Sequence, residues 1–390
     1  VDKNLIIMEI LFLCSWYPTP KNPNFGIFIK EHAVAVSLAG YHVTAISVIC
    51  EKTNDLCRLT KYDFIDENDI HVIQIIVSSR YRDFFHHLLP YHYRLLSQVL
   101  KPLIKSGYSP DLIHTNVVFS AGILGNWFSQ KLKIPYIITE HWSRVPRLLK
   151  QPVLSSWGIK AYQSSAKILP VSNFLQNRIC ELIPDLDKRK FTVIGNIVNT
   201  KTFYYKPKAA TEGQLQFCAI ATWDKKKIPD KKPELFIEAL GQLQKEIKKD
   251  ISLTMIGGGN NIKELQQLCD EQKITANFTG YIPKNEIAGH LYRSHYFLHA
   301  STIETFSIVV AEALLTGTPV LCSNVGALSE LVNNSNGVLC NNTLQDWTEG
   351  LKCLINNSYD NEQISSNISN RFSPENIGRK ISEVYAQVKV

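Results

Sequence analysis

Two glutamates eight residues apart, Glu304 and Glu312, lie in the segment Ala300-Ser-Thr-Ile-Glu-Thr-Phe-Ser-Ile-Val-Val-Ala-Glu-Ala-Leu-Leu-Thr-Gly-Thr-Pro-Val320. The apolar pattern puts Glu304 in the loop after a strand and Glu312 inside the next helix, expected over 306–316. A loop carboxylate there can accept hydrogen bonds from sugar hydroxyls, and one inside the helix from a ribose diol. The amides of Phe306, Ser307 and Ile308 would open that helix without intrahelical acceptors, at its positive end, where a diphosphate can sit. By themselves, two glutamates at this spacing are commonly no more than helix-surface charges.

Other chemistry-bearing residues are weaker signals. Gly257, Gly258 and Gly259 follow a strand but do not complete GxGxxG, so no nicotinamide or flavin fingerprint is read, and a tight turn explains them equally well. Asp185-Leu-Asp187 has the form of a metal-holding DxD but follows Ile-Pro in a polar loop and reads as a surface turn. His86, His87 and His92 lack Cys or carboxylate partners at ligand spacing and read as a solvent- or lipid-facing surface. No metal site is expected. The nine cysteines are odd in number, scattered and never CxxC, which points to reduced thiols in a cytoplasmic protein.

The charge is lopsided. Residues 1–200 hold 22 Lys+Arg against 15 Asp+Glu, and 201–390 hold 20 against 20, so the net charge of +7 comes from the first half. Within 80–190 the count is 16 against 6, which suggests an anionic partner for that half. Nucleic acid is not expected, since no binding motif accompanies the charge. Segment 80–96 mixes basic, aromatic and aliphatic residues; it can lie on an anionic membrane or pack as helices on the sheet.

These residues need elements to position them. With 390 residues, 45% apolar and 20% charged, the chain exceeds one core and predicts two globular domains of roughly 150–200 residues. The apolar run from Leu5 is far short of the ~20 residues of a membrane span and reads as a buried first strand. Met8 is read as a natural start, with 1–7 an upstream extension. A Pro/Asn/Gly loop (17–26), a helix (27–39) stopped by Gly40 and a β-branched strand (43–49) make a βαβ unit. Further strands are expected at 70–76, 112–115, 136–139, 167–171 and 191–194. After a polar stretch at 204–214 the alternation starts afresh. Strands are expected at 215–221, 252–256, 277–279, 296–299 and 320–322, with helices at 233–246, 262–271 and 284–292 between them. Ser373-Pro374 opens a last helix to about residue 388. Continuous apolar strands imply parallel sheets covered on both faces, and such sheets bind ligands beyond their carboxyl ends. The expected layout is an N-terminal domain (1–203), a linker (204–214), a C-terminal domain (215–372) and a helix (373–390) returning toward the first domain.

The segment around Glu304 and Glu312 resembles the E(x7)E signature of retaining family 4 glycosyltransferases with the GT-B fold, including the aromatic two residues after the first Glu and the TGTPVL turn. Asn24-Phe-Gly-Ile-Phe28, Tyr136-Ile-Ile-Thr-Glu-His141, Leu169-Pro-Val-Ser-Asn173, Val193-Ile-Gly-Asn196, Met255-Ile-Gly-Gly-Gly259 and Phe278-Thr-Gly-Tyr-Ile282 resemble further landmarks in family order. The resemblance implies two Rossmann-like, doubly wound parallel-sheet domains facing a central cleft. It implies metal-independent transfer of a hexose or N-acetylhexosamine from a UDP- or GDP-linked sugar, with no cofactor, to a saccharide or lipid-linked saccharide in cell-surface polysaccharide or glycan synthesis. By the same resemblance Gly26 lets backbone approach the donor phosphates, and His141 hydrogen-bonds the donor sugar and shields its developing charge. Lys231 neutralises the leaving diphosphate, Glu304 positions the sugar, Glu312 takes the ribose, and Gly257, Gly258, Tyr281 and Ile282 lie near the donor. One departure stands out: many members carry an Arg where this chain has Thr222-Trp223-Asp224, so Lys231, or one of Lys225–Lys227, must serve. The expected location is cytoplasmic, with peripheral contact with the inner membrane face through 80–96 as an option. A nucleotide-sugar epimerase or hydrolase on the same fold, or a catalytically degenerate scaffold, are the rival readings.

Overall fold

Glu9–Cys14 is apolar at nearly every position, which a strand tolerates only with both faces covered. In the computed structural model it runs inside a seven-stranded sheet with Ile10 to Leu13 fully buried. The structure describes residues 8–208, 213–225, 230–247 and 249–388; residues 5–7 of the expected first strand lie outside them. The chain forms two compact units, Val1–Ile197 with Pro374–Val390, and Val198–Ser373.

The first unit runs β1 (Glu9–Cys14), α1 (Ile27–Leu38), β2 (His42–Lys52), β3 (Arg58–Ile65), β4 (His71–Ser79), α2 (Arg82–His87), α3 (Leu89–Lys105) and β5 (Leu112–Asn116). It continues through α4 (Ile123–Leu132), β6 (Tyr136–Glu140), α5 (Val145–Leu148), α6 (Pro152–Ser164), β7 (Lys167–Pro170) and α7 (Asn173–Leu182). The second unit holds β8 (Gln214–Ile220), α8 (Pro233–Ile247), β9 (Asp250–Ile256), α9 (Ile262–Glu271), β10 (Thr275–Gly280) and α10 (Lys284–Arg293). After these come β11 (Tyr296–His299), α11 (Ile308–Leu315), β12 (Val320–Ser323), α12 (Leu328–Leu331), β13 (Gly337–Cys340), α13 (Leu344–Asn356) and α14 (Asn361–Phe372). The last helix, α15 (Pro374–Tyr385), belongs to the first unit and packs on α1.

Strand order is β3-β4-β2-β1-β5-β6-β7 in one sheet and β10-β9-β8-β11-β12-β13 in the other. Counting parallel strands alone, both follow the doubly wound order 3-2-1-4-5-6, whose direction of winding reverses between the first and fourth strands. Three departures from expectation stand out. β3 is antiparallel to β4 at the sheet edge and mostly exposed, so it lacks the apolar run that marks a buried strand. Residues 191–194 make only an isolated bridge from Phe191 to Ile168. β13 was not expected either; it is four residues long, and Gly337 is packed so tightly on the Val320 backbone that no side chain fits.

Helix starts follow capping chemistry. Ser172, Thr343 and Asp360 each accept a hydrogen bond from a first-turn amide, at 3.1, 3.1 and 2.9 Å. α15 starts with Pro374, whose missing N–H costs nothing in that position. Its Tyr385 hydroxyl lies 2.6 Å from His114 Nδ1, tying the C-terminal helix to β5.

Candidate active site

The loops after β8 and β11 diverge at the switch point of the second sheet, the place where an open α/β sheet offers a crevice. This chain sets a cation on one loop and a carboxylate on the other. Lys231 and Ser301 form an antiparallel bridge, the Lys232 amide donates to the Ala300 carbonyl at 3.2 Å, and the Thr302 amide to the Asp230 carbonyl at 2.9 Å. So tied, Lys231 donates from Nζ to Glu304 Oε1, with Ser301 Oγ at 3.3 Å. His299, the last residue of β11, donates from Nε2 to the same carboxylate oxygen at 2.8 Å, because a carboxylate can only accept. Ser307 Oγ stands 3.3 Å from that ring nitrogen.

Burial works to raise the Glu304 carboxyl, but the Lys231 charge and the His299 hydrogen bond outweigh it and hold it at about 2. Burial, with the Lys231 charge, keeps His299 below the ordinary imidazole range against the pull of Glu304. At neutral pH the cluster is an ammonium, a carboxylate and a neutral imidazole. Its backbone is fixed from below: the Ala327 amide donates to the Glu304 carbonyl at 2.9 Å, and a side chain at Gly326 would displace that carbonyl. Ser323 Oγ accepts from the Ser301 amide at 2.9 Å, and Asn342 Nδ2 donates to the Ser301 carbonyl at 2.8 Å.

The helix after Glu304 opens later than expected. α11 begins at Ile308, and Ser307 is its N-cap with φ 74°, a left-handed conformation that cannot continue a helix backward. Phe306 and Ser307 are therefore not first-turn positions; Phe306 is buried with its ring 5.0 Å from Phe372, edge-on. The intrahelical ladder starts where the Ala311 amide meets the Ser307 carbonyl at 3.2 Å, so the amides ahead of it belong to Ile308, Val309 and Val310. Glu312 sits within this almost wholly buried helix, its side chain 6% exposed, with Lys284 Nζ at the head of α10 3.6 Å from Oε1. Sequence reasoning missed both Lys284 and His299. His299 carried a signal, since it ends a parallel strand; Lys284 carried none.

The three glycines differ in what surrounds them. Gly257 has φ 113°, and a Cβ there would run into the Ala221 carbonyl oxygen. At Gly259 a Cβ would meet the Trp223 backbone, while at Gly258 it would meet only the Tyr281 ring, which is 72% exposed. Trp223 organises the loop. It is buried, its amide donates to the Gly258 carbonyl at 2.8 Å, and its indole N–H donates to the Ile256 carbonyl at 3.1 Å. Where many family members carry an Arg, the chain has exposed Thr222, and the next residue, Trp223, is a structural plug. Exposed Thr222, with Trp223, Asp224, Lys231 and Asn261, lines a pocket of about 230 Å³. Lys225 does not reach into the cluster: its ammonium pairs with Glu264 at 2.8 Å. Lys226 and Lys227 lie outside the described residues. Ile282, half-buried, follows Tyr281 after β10.

In the first unit His141 follows β6 and is buried. Its Nδ1 lies 2.8 Å from Asn196 Oδ1 and its Nε2 3.3 Å from Asn116 Oδ1, with Phe28 and His32 rings at 4.8 and 5.1 Å. Burial, reinforced by His32, holds it well below the ordinary range, so the ring is neutral and has one N–H for two amide oxygens. Turning the Asn116 amide over satisfies both contacts, because its otherwise unpartnered Nδ2 then donates to Nε2. Glu140, one residue earlier and fully buried, was not singled out in the sequence. It accepts from the amides of Val118, His141 and Trp142 at 2.9, 3.0 and 2.9 Å and from the Tyr162 hydroxyl at 2.7 Å. It is the post that holds the His141 loop. Tyr162→Phe removes one of these donors and is expected to cost about 1.5–3 kcal/mol in urea unfolding; a loss within about 0.5 kcal/mol, the range of an indifferent surface change, would show the hydroxyl to be dispensable.

Gly26 is the left-handed N-cap of α1 (φ 67°), and the space beside it is filled by the chain itself, Trp16 C lying 2.6 Å from where a Cβ would be. His92 is buried, not surface-facing, its Nε2 2.9 Å from the Phe85 carbonyl oxygen. Asp187 accepts from the Arg189 amide at 3.0 Å and pairs with the Arg189 guanidinium, a capped surface turn. Among the described residues no helix is long and apolar enough to cross a membrane.

Comparison with known proteins places this geometry. Residues 27–202 match the family model described as Glycosyltransferase Family 4, and residues 225–371 the one described as Glycosyl transferases group 1. The alpha-monoglucosyldiacylglycerol synthase of Streptococcus pneumoniae is 25% identical over 313 residues, covering 75% of this chain and 69% of the relative. A putative teichuronic acid biosynthesis glycosyltransferase of Bacillus subtilis is 25% identical over 342 residues, 83% of each chain. Among solved structures, HepE of Anabaena in complex with UDP superposes with a TM-score of 0.72 at 17% identity over 98% of this chain and 100% of that one, which shows a common GT-B architecture.

Proposed function

Since the chain belongs to the group 1 glycosyltransferases, we propose that it is a retaining, metal-independent enzyme of this family that binds a nucleotide-diphosphate sugar in its second unit. The observation that carries this reading is the Lys231–Glu304–His299 cluster at the β8/β11 switch point. A leaving nucleoside diphosphate gains negative charge as the glycosidic bond to its β-phosphate breaks, and a preorganised ammonium is the group that stabilises it. Glu304, kept ionised, accepts from hydroxyls of the transferred sugar and fixes its position. Glu312 accepts from the ribose. The acceptor oxygen bonds to the anomeric carbon as the phosphate leaves, and its proton passes to the departing phosphate oxygen, so no protein nucleophile is required. The acceptor is a saccharide or lipid-linked saccharide, in keeping with relatives named for monoglucosyldiacylglycerol synthesis and teichuronic acid biosynthesis. The donor is a UDP- or GDP-sugar.

A thermal-shift panel of UDP-, GDP- and ADP-sugars tests this, because a ligand of the folded state alone raises the melting temperature in proportion to RT ln(1+[L]/Kd). One nucleotide class is expected to raise it, and Glu312→Ala to weaken that ligand roughly 10- to 100-fold through loss of charge-assisted hydrogen bonds. His141→Ala, in the other unit, is expected to keep the shift and lose turnover. A panel with no shift, or equal donor affinity in the two variants, overturns the assignment of roles.

A further inference from the structure

The first unit also carries a helix surface apart from the residues assigned above to the transfer reaction. Helices α3, α4 and α6 are joined by a ladder of rings: Tyr93 of α3 stacks on Phe128 of α4 at 4.5 Å, and Trp127 meets Tyr93 at 5.8 Å and Trp157 of α6 at 5.2 Å. Phe128 is buried beneath, while Tyr93, Trp127 and Trp157 stay half-buried. Val153, at the start of α6, is 58% exposed. Lys131 Nζ lies 5.7 Å from the Tyr93 ring, and Arg94, Lys101, Lys133 and Lys160 are exposed on or beside the same helices.

Acidic residues are missing from this layer. None of α3, α4 and α6 contains Asp or Glu. Residues 84–164 hold nine Lys and Arg against Asp111 and Glu140. Glu140 is fully buried, and Asp111 accepts from the Glu9 amide at 2.8 Å. A helix layer that only faces water has no reason to exclude acids, since mixed signs solvate equally well. One that meets a plane of negative charge does. Half-buried indole and phenol rings with lysines beside them suit the headgroup depth of a bilayer, where an apolar body and a polar tip are both accommodated.

We propose that the α3–α4–α6 layer docks on an anionic lipid bilayer. The sequence suggested 80–96 for this contact, with helix packing as its alternative; α3 turns Leu89, Leu95 and Leu96 of that segment into the core while Tyr81 and Phe84 stay exposed, and α4 and α6 add Trp127 and Trp157. An acidic protein would meet the same charge; the ring ladder and Val153 favour lipid. The inference goes beyond the transferase reading, since bilayer binding needs neither donor nor turnover.

The test uses the full chain with vesicles of phosphatidylcholine alone and of phosphatidylcholine with roughly one-third phosphatidylglycerol, a strongly anionic surface. The chain is expected to co-sediment with the anionic vesicles only, with a blue shift of tryptophan emission. The double variant Lys131→Glu/Lys160→Glu is expected to bind at least roughly 30-fold more weakly, at about 1 kcal/mol per basic residue. Its circular dichroism and nucleotide-sugar thermal shift should be unchanged. Trp157→Ala should weaken sedimentation with no change of charge. Equal binding to both vesicle types, no binding to either, or full binding by both variants overturns the proposal. A wild-type chain that shifts with nucleotide sugar yet ignores anionic vesicles sinks this inference alone.

Discussion

Lys231→Ala is expected to lower kcat by about 10²–10³, the effect of removing one preorganised donor from developing negative charge. Lys231 also compensates Glu304, so its loss has a structural side. The two side chains are 27% and 14% exposed, and the cost in stability should fall below the about 3–5 kcal/mol of breaking a fully buried pair. The double variant Lys231→Met/Glu304→Gln separates the two effects. It leaves no unpaired charge and should regain most of the lost stability, yet turnover should stay low. Lys231 also sets a pH window. Glu304 has a folded pKa of about 2 against an ordinary 4.5, so the pair's contribution is complete above about 4.5 and is lost as the pH falls through about 2. Without the ammonium, burial is left as the main influence and pushes the carboxyl up. The acid limb of the rate profile should therefore move to higher pH in Lys231→Ala. Unchanged kcat, or an unmoved acid limb, would remove Lys231 from the leaving-group role.

What the sequence revealed and what it hid divide along physical lines. Buried parallel strands such as β1, β6 and β11 were legible because both faces are apolar, and α8, α9 and α10 because their polar and apolar faces alternate at helical period. β3 stayed hidden because an edge strand with exposed faces carries no such run. The late start of α11 was hidden too: nothing in Thr305-Phe306-Ser307 declares that a serine will adopt φ 74°. Partners from distant segments were the least legible. Glu304 finds Lys231 73 residues earlier, and Glu312 finds Lys284 28 residues earlier, and periodicity says nothing about which loops a sheet will bring together. Trp223 was noted only as a departure from the family pattern, whereas in the fold it is the residue that shapes the glycine loop.

That loop gives the second large effect. Gly257→Ala is expected to destabilise the second unit by about 3–5 kcal/mol, as strain at a positive φ adds to overpacking against backbone that cannot move aside. For a unit of this size that lowers the melting temperature by something on the order of 10 °C. The obstacle is the Ala221 carbonyl, held in place because the Ala221 amide donates to the Ile256 carbonyl at 3.1 Å while the Gly257 amide donates to the Gly280 carbonyl at 2.9 Å. Relief would therefore require parting β8 from β9 at their carboxyl ends, next to Thr222 and the pocket. Gly258→Ala is the control. Its new methyl group meets the exposed Tyr281 ring, the end of a side chain with room to swing away, so stability should change little. If Tyr281 lies against the nucleotide, that displacement should still weaken the ligand in the thermal-shift panel. A Gly257→Ala protein as stable as the parent would mean that the loop can relax and that its three glycines are interchangeable; a large loss at 257 with a small one at 258 assigns the first to the backbone and the second to the ligand.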